Sequence, residues 1–207
     1  MRIEKIVIAT TLAAASMLAV AQDTARPRMT REQAEKVMEQ DGTAVMQENL
    51  PVNLMNGKAD IVEAMLLLGV DANGKLEQTP QTTLEFAVSA CVGQRVAEAD
   101  INATVEVLLR AGARPDDPGM MGTMIVAAQQ CPPSVVKRLI TGGAKLDVRT
   151  PQGFTPLSMA LIVGNYDTAE ALIDAGAKLS AEGAAKLTEG VTDNPRLLAL
   201  VKRASAK

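Results

Sequence analysis

The feature that most constrains this chain is a spacing of 33 residues that occurs twice in its second half. Gly143 and Gly176 are 33 residues apart, and so are Ala127 and Ala160. A fixed period of this length is typical of proteins built from stacked structural repeats. We therefore predict copies of one structural unit in the same register.

The last copy indicates what the unit is. Thr155 begins a short helix that Gly164 ends, and a second helix is predicted from Asp167 to Ala175, stopping at Gly176. The apolar residues of both helices lie on one side of this helix–turn–helix unit. The unit cannot bury that side alone, so it needs similar units as neighbours.

The composition suits thin, closely stacked helices. Hydrophobic residues make up 47% of the chain, but aromatic residues only 1%, and there is no Trp. Ala, Leu, Val and Met must therefore fill the core. The net charge is -3 and no basic stripe is visible, which disfavours nucleic-acid binding because phosphate contacts need clustered Lys and Arg.

The stretch from 153 to 179 resembles an ankyrin repeat. The segment Thr155-Pro156-Leu157-Ser158-Met159-Ala160 stands where that family has T-P-L-H-x-A, with Ser158 in place of the usual His. The resemblance implies an all-α ankyrin-repeat solenoid of about four helix–turn–helix repeats with N- and C-terminal helical caps. The implied ranges are an N-terminal capping helix at 30–48 and an ankyrin-repeat domain at 49–203, with repeats at about 49–81, 82–121, 122–154 and 155–180 and a C-terminal cap at 181–203.

Two segments depart from the regular unit. A Thr-x-x-Gln capping box beginning at Thr30 predicts a helix that ends at Gly42 and covers the first repeat. The alternative is an exposed helix that packs loosely. The second repeat has an insertion of 9 residues somewhere in 92–102, because Ala87 and Gly112 are further apart than the equivalent residues of the fourth repeat.

Residues 1–21 have the pattern of a secretory signal peptide. Arg2 and Lys5 precede an apolar run from Ile6 to Val20, and a small-x-small pattern ends at Ala21. The run is short for a membrane span, which needs about 20 apolar residues. We therefore expect cleavage after about Ala21, a linker at 22–29, and a periplasmic protein that is not inserted in the membrane. An uncleaved anchor is the alternative.

Cys91 and Cys131 are the two cysteines of the chain. An even number in an exported protein predicts a disulfide. They occupy the same place in consecutive repeats, and stacked repeats of the resembled family keep equivalent positions further apart than the limit of ~7 Å between Cα atoms for a disulfide. The insertion after Cys91 could bring that turn across. The alternative is two buried thiols that fill space.

The chain has no His, so it cannot form a Ser–His or Cys–His nucleophile, and two cysteines cannot supply a four-cysteine zinc site. We expect no catalytic residues, no metal and no cofactor. The adjacent carboxylates Asp116 and Asp117 are interpreted as a solvated turn rather than an acid/base pair.

The resemblance implies that a protein partner contacts the first helix of each pair and the loops between repeats, called fingers. The implied contact residues are Glu85 and Ser158 on first helices, and Lys75, Glu77, Arg114, Asp116, Asp117, Met120, Met121, Arg149 and Phe154 in the fingers. Met120 and Met121 are the most suggestive, because flexible apolar side chains on a long loop make adaptable contacts. The alternatives are that the methionines tuck under the neighbouring finger and that the charged residues are ordinary solvated side chains.

These features favour a non-catalytic periplasmic protein, monomeric in isolation, that binds another protein. One concrete form is an immunity protein that neutralises a secreted toxic effector, such as a type VI secretion lipase, since small periplasmic ankyrin proteins resemble that class. The alternative is a maintenance or accessory factor for an envelope enzyme, for example in oxidative-stress defence. The 11 methionines fit that alternative, although Met also fills gaps in an aromatic-poor core.

Overall fold

A computed structural model describes residues 28–77, 79–117 and 119–205. All regular structure in these ranges is helical, as the repeat pattern predicts. The α-helices are α1 Arg31–Asp41, α2 Leu50–Met55, α3 Ala59–Leu67, α4 Thr83–Val88, α5 Glu98–Arg110, α6 Thr123–Gln130, α7 Pro133–Thr141, α8 Pro156–Ile162, α9 Tyr166–Asp174, α10 Ala181–Thr188 and α11 Pro195–Ser205. Two 3₁₀ segments, Gln47–Asn49 and Ser89–Gln94, accompany them.

The helices form two rows. The inner row contains α2, α4, α6, α8 and α10, each in contact with the next, and the outer row contains α1, α3, α5, α7, α9 and α11 in the same way. Each inner helix also contacts the outer helix that follows it in the chain. Four helix pairs, from α2/α3 to α8/α9, therefore stack as repeats, with α1 before them and α10/α11 after them. This confirms the predicted all-α solenoid.

The core lies between the two rows and consists of small and aliphatic side chains. Ala87, Ala127 and Ala160, at equivalent positions of three inner helices, are buried and allow the helices to approach closely. The largest wholly buried apolar side chains are Leu50, Leu54, Met65, Leu84, Leu108, Met124, Ile125, Leu139, Leu157, Leu161 and Leu172. Each contributes about 1.5–3 kcal/mol by leaving water, so stability is spread evenly along the stack.

Glycines at the 33-residue spacing end the outer helices α7 and α9. Gly143 has φ 91° and Gly176 has φ 99°, a left-handed conformation that residues with a Cβ rarely adopt. After Gly176, the N–H of Ala177 donates to the carbonyl of Leu172 at 2.9 Å, and the equivalent bond follows Gly143. The chain thus leaves each outer helix at the same point, which explains the fixed period.

Helix α1 packs closely against the N-terminal end of the stack. The Thr30 side chain accepts the N–H of Gln33, and the Gln33 side chain accepts the N–H of Thr30. Gly42, with φ 72°, ends the helix. Ala34 and Met38 are buried, and α1 packs on α3. It therefore occupies the place of an outer helix and does not pack loosely.

The second repeat departs from the others after α4. The 3₁₀ segment Ser89–Gln94 leaves helical geometry at Val92 and Gly93, and α5 has 13 residues where α7 and α9 have 9. The insertion predicted within 92–102 is therefore divided between an extra loop and an extended start of the outer helix.

The predicted signal peptide at 1–21 and most of the linker at 22–29 lie outside the described residues. The end of the linker is described, and there Met29 donates its backbone N–H to Oε1 of Glu63 on α3 at 3.2 Å. In the described ranges, no helix has the length and apolar character needed to cross a membrane.

Candidate protein-binding surface

We use the term inner face for the surface formed by the inner row and the fingers. The fingers run from each helix-ending glycine to the next inner helix, at about 70–82, 113–122 and 144–155. All the residues predicted to contact a partner stand on these elements. Their surroundings show which are available and which hold the scaffold together.

Side chains at the same position of two fingers join each finger to the next. Asn73 donates to the carbonyl of Gly112 at 3.0 Å and accepts the N–H of Arg114 at 2.9 Å. Asp116 accepts the N–H of Lys145 on the third finger at 3.0 Å. One carboxylate oxygen of Asp116 is thus engaged by the scaffold rather than open to a partner.

The second finger also has an internal ion pair. Nε of Arg114 lies 2.8 Å from both carboxylate oxygens of Asp117, and Nη2 lies 2.6 Å from Oδ2. This hydrogen bonding lowers the pKa of Asp117 and raises the pKa of Arg114. Asp116 and Asp117 therefore have different partners, as expected of a turn and not of an acid/base pair.

Glu85 does not reach the surface, so the prediction that it contacts a partner is wrong. Its exposed fraction is 0%. Oε2 accepts the N–H of Met120 at 2.8 Å, and Oε1 accepts the N–H groups of Met121 at 2.6 Å and Gly122 at 3.1 Å. Successive backbone N–H groups make an anion-binding concavity, and a buried carboxylate needs such donors. We call this arrangement the Glu85 clasp; it fixes the second finger to α4.

The clasp gives the two methionines different environments. Met120 is 58% exposed, whereas Met121 is half-buried and packs against the core. Met121 therefore fits the interpretation that it tucks under a finger, and contact of Met120 with a partner stays a prediction. Met120 is available for an adaptable contact, and Met121 anchors the finger beneath it.

Ser158 serves mainly to cap α8. Its Oγ accepts the N–H of Thr155 at 2.8 Å, and its own N–H donates to Oγ1 of Thr155 at 3.2 Å. This reciprocal arrangement satisfies the start of the helix. Ser158 is half-buried, and its share in partner binding is limited to lining the groove beside it.

Arg149 and Phe154 border a groove of about 510 Å³ between the third finger, α8 and α10. Phe154 is 39% exposed and Ile162, on α8, is 51% exposed. We call this the C-terminal groove; it is lined by Arg149, Gln152, Gly153, Phe154, Thr155, Ser158, Ile162, Lys178, Leu179, Ser180, Glu182, Gly183, Lys186 and Leu187.

Lys75 and Glu77 border a second groove, of about 420 Å³, at the other end of the inner face. We call it the N-terminal groove; it is lined by Gln47, Glu48, Pro51, Val52, Lys75, Leu76, Glu77, Thr79 and Phe86. The chain has two Phe residues, and one lines each groove. Phe154 is exposed at its groove, whereas Phe86 is partly buried against the core; aromatic side chains at a groove are typical of a contact surface.

The sequence reasoning named Met120 and Phe154 but missed Val52, Met55 and Ile162 on this surface. Among the exposed large apolar side chains of the described residues, Val52, Met55, Met120, Phe154 and Ile162 stand on inner helices or fingers, whereas Leu67 is the one on an outer helix. Val52 and Ile162 could have been found as apolar residues outside the buried stripe of their short helices.

The outer row is covered instead by ion pairs between neighbouring helices. Arg110 on α5 lies 2.9 Å from Glu63 on α3, and Arg138 on α7 lies 3.0 Å from Glu106 on α5. Further along, Arg203 on α11 pairs with Glu170 on α9 at 3.0 Å. The outer row is therefore joined by ion pairs, and more of the exposed large apolar side chains stand on the inner face than on the outer helices.

The two cysteines meet at the turns between inner and outer helices. Their Sγ atoms are at bonding distance and their Cα atoms are 5.1 Å apart, the geometry of a disulfide. Cys91 lies in the 3₁₀ segment after α4, and Cys131 ends α6. The carbonyl of Cys131 accepts hydrogen bonds from Asn165 and Thr168 of the fourth repeat, both at 3.0 Å. The disulfide thus ties the insertion to the third repeat.

A further groove, of about 1020 Å³, lies beside the disulfide. Its lining includes the insertion residues Val92 and Val96, together with Gln129 and Gln130 from the end of α6. It opens at the turns between the rows and is separate from the two inner-face grooves.

The fold and this surface define a helical-repeat scaffold that presents an extended face. Among residues 28–77, 79–117 and 119–205, no group of three His, Cys, Asp or Glu side chains could hold a metal ion. Residues 94–182 match the family model for ankyrin repeats (3 copies). Residues 94–182 therefore form ankyrin repeats.

The family match begins within the second helix pair, after α4, yet α2, α3 and α4 stack in the same two rows as the matched helices. A comparison with curated proteins returns no match to this sequence. Ankyrin repeats are generally non-catalytic domains for protein–protein interaction, which implies a protein partner.

Proposed function

We propose that this protein is exported to the bacterial periplasm and there binds another protein through its inner face, without catalysis. The observation that carries the proposal is the contrast between the two surfaces. Of the ten exposed large apolar side chains in the described residues, five stand on inner helices or fingers, four lie in loops and turns, and one stands on the outer row, where ion pairs join neighbouring helices. Grouped exposed apolar residues rimmed by polar ones mark interaction sites.

The inner face is suited to binding because its fingers are held in place before a partner arrives. The Glu85 clasp fixes the second finger to α4, and Asn73 and Asp116 join successive fingers. A surface ordered in advance loses less conformational entropy on binding. Met120 and Phe154 then provide exposed apolar contacts along the face, and the partly buried Phe86 lines the groove at its other end; such anchors account for much of the affinity of typical interfaces.

Two features support export. The pattern of residues 1–21 is that of a signal peptide, and the bond between Cys91 and Cys131 is of a kind that persists in oxidising compartments such as the periplasm. Detection of the mature chain, beginning near Gln22, in the periplasmic fraction is the expected result. Retention of the intact chain in the cytoplasm would contradict export.

Site-specific photo-crosslinking in the bacterium that encodes the protein tests the binding face. A benzophenone amino acid replaces Met120 or Ile162 on the inner face, and Lys137, exposed on α7, in a control chain. We expect one crosslinked protein from both inner positions and none from the control. Equal crosslinking at Lys137, or none at the inner positions, would overturn the proposed face.

The specific form we propose is an immunity protein that neutralises a toxic effector, such as a type VI secretion lipase, in the periplasm. A rigid, preformed face suits the tight one-to-one complex that this role requires. Co-expression with the product of the neighbouring gene, directed to the periplasm, is expected to give a stable complex and protect growth. If there were no complex and no protection, the immunity role would be ruled out, but the proposed binding face would not be contradicted.

The alternative role as an accessory factor in oxidative-stress defence receives no specific support from the methionines. Among the described residues, Met38, Met65, Met124 and Met159 are buried and fill the aromatic-poor core, whereas Met46, Met55 and Met120 are exposed but stand on different elements.

A further inference from the structure

The C-terminal groove has a charge opposite to that of the protein as a whole. The chain has a net charge of -3, yet the groove is lined by Arg149, Lys178 and Lys186 against one carboxylate, Glu182. Phe154 and Ile162 make its exposed apolar part. We propose that this groove binds an acidic, apolar segment of the partner protein; this inference rests on the proposed function and adds the chemistry of the bound segment.

The groove arises because the last inner helix is not seated like the others. Four residues, 177–180, lead from Gly176 to α10, whereas the third finger takes 144–155 to reach α8. The N–H of Leu179 donates to the carbonyl of Ala204 on α11 at 3.2 Å, so this connection follows the C-terminal helix. In addition, α10 has no buried residue. A space therefore remains between α10, Ile162 and the third finger.

Lys178 has an interaction of its own, and the charges of Arg149 and Lys186 are only partly compensated. Nη1 of Arg149 donates to the carbonyl of Gly153 at 3.2 Å, which orients the guanidinium without neutralising it. Lys186 and Glu182 are 2.7 Å apart, but both side chains are more than two-thirds exposed, so water weakens their attraction. A carboxylate of a bound segment would meet a planar guanidinium, which can form two parallel hydrogen bonds to it.

The two grooves of the inner face are therefore not equivalent. The N-terminal groove has one cation, Lys75, and two carboxylates, Glu48 and Glu77. An acidic segment is favoured at the C-terminal groove and repelled at the other, which sets the direction in which a partner lies along the face.

Selection from a random 12-residue peptide library displayed on phage tests the groove in the intact protein. One arm uses the unchanged protein, the second uses Arg149→Glu with Lys186→Glu, and the third uses Lys137→Glu with Lys202→Glu on outer helices. The two variants carry the same net charge. All four positions lie on the surface, and thermal unfolding by circular dichroism establishes that each variant is folded.

We expect the unchanged protein and the outer-helix variant to enrich peptides that combine Asp or Glu with Leu, Ile, Phe or Met. The groove variant should lose that enrichment. By fluorescence anisotropy, a selected peptide should bind the groove variant about tenfold more weakly, given the modest energy of exposed charge pairs. Binding should also weaken as NaCl is raised, because the contacts are exposed to screening. Enrichment of basic or uncharged peptides, no enrichment, or equal affinity for both variants would overturn the inference.

Failure of this inference and failure of the proposed function give different results. If the crosslinked partner binds both charge variants equally, the inner face still binds a protein but not through an acidic segment in this groove. If no protein crosslinks to the inner face, the proposed function fails whatever peptides the groove selects.

Discussion

One position of the repeat motif has three different roles in three consecutive repeats. Glu85 is the centre of a buried clasp, Ile125 is buried in the core, and Ser158 caps its own helix. The position points from the start of an inner helix towards the finger. The side chain at this position contacts whichever finger segment lies beside it. The residue type and its role therefore differ from one repeat to the next.

The Glu85 clasp gives the first prediction. Glu85→Gln keeps the shape but removes the charge and one acceptor oxygen, and should lower the free energy of unfolding by about 2 kcal/mol. Glu85→Ala leaves three N–H groups without their acceptor and should cost about 3 kcal/mol. Denaturant unfolding measures both. Glu39→Gln, at an exposed position of α1, is the control; equal effects at both sites would mean that the clasp contributes little.

Gly119 lies directly against the clasp and gives the second prediction. A Cβ at this position would overlap Oε2 of Glu85, which the hydrogen bonds of the clasp hold in place. Gly119→Ala should therefore displace the finger and lower the free energy of unfolding by about 1–3 kcal/mol. The same substitution should lower the free energy of unfolding by less in a protein that already carries Glu85→Ala, because the clash is between these two residues.

Gly183→Ala is the matched control for Gly119→Ala. Gly183 lies within α10, where a Cβ would approach only the Ser180 hydroxyl, at 3.2 Å. Alanine in a helix interior is favoured over glycine by about 0.5–1 kcal/mol. The control should therefore be neutral or slightly stabilising, and a loss as large as that at Gly119 would contradict the clash.

At the scale of elements, the insertion and the disulfide act together. Helix α4 unwinds through the 3₁₀ segment into the loop at Val92 and Gly93, and this brings Cys91 within bonding distance of Cys131 on the next repeat. The longer α5 then resumes the outer row. Without this detour, equivalent turns of stacked helices would be separated by about the interaxial distance of 8–10 Å, too far for a disulfide.

The disulfide closes a loop with a sequence separation of 40 residues and gives the third prediction. In the chain-entropy model, a loop of this length stabilises the folded state by about 4 kcal/mol. Urea unfolding with and without dithiothreitol should show a loss of this order. The Cys91→Ala, Cys131→Ala protein should show no dependence on reductant. Two free thiols in the unfolded, unreduced protein would disprove the bond.

At the scale of the whole molecule, each repeat contacts only its neighbours, so damage at one end should remain local. The ends are the places where a helix has one neighbour in its row instead of two. There α1 covers α3, and α11 covers α9. The caps protect apolar surface that an additional repeat would otherwise cover.

This locality gives the fourth prediction. Met38→Asp places a charge in the buried contact of α1 and should release that helix, since an unpaired buried charge is strongly unfavourable. Hydrogen exchange should increase roughly tenfold or more in α1 and α3 and change little in α9 and α11. Gln40→Asp, at an exposed position of the same helix, is the control. A uniform increase along the chain would contradict local unfolding.

The sequence by itself determined the architecture, because the interactions that define it are local. The capping box at Thr30, the glycines at Gly143 and Gly176, and the proline that opens α7 each act within one turn or one helix. The 33-residue period then repeats these local interactions in the third and fourth repeats. Because aromatic residues are scarce, the helices must stack closely to bury their apolar sides.

Only the tertiary structure decided which side chains face a partner. Glu85 meets the N–H groups of Met120 and Met121 across a sequence separation of 35 and 36 residues, and Asp116 meets that of Lys145 across 29. The Glu85 contact joins α4 to the finger at the end of the same repeat, and the Asp116 contact joins two repeats; the repeat pattern reveals neither. The grooves at the two ends likewise depend on how α2 and α10 sit against their single inner-row neighbours. The repeat pattern thus specifies the stack, while packing between repeats specifies the surface.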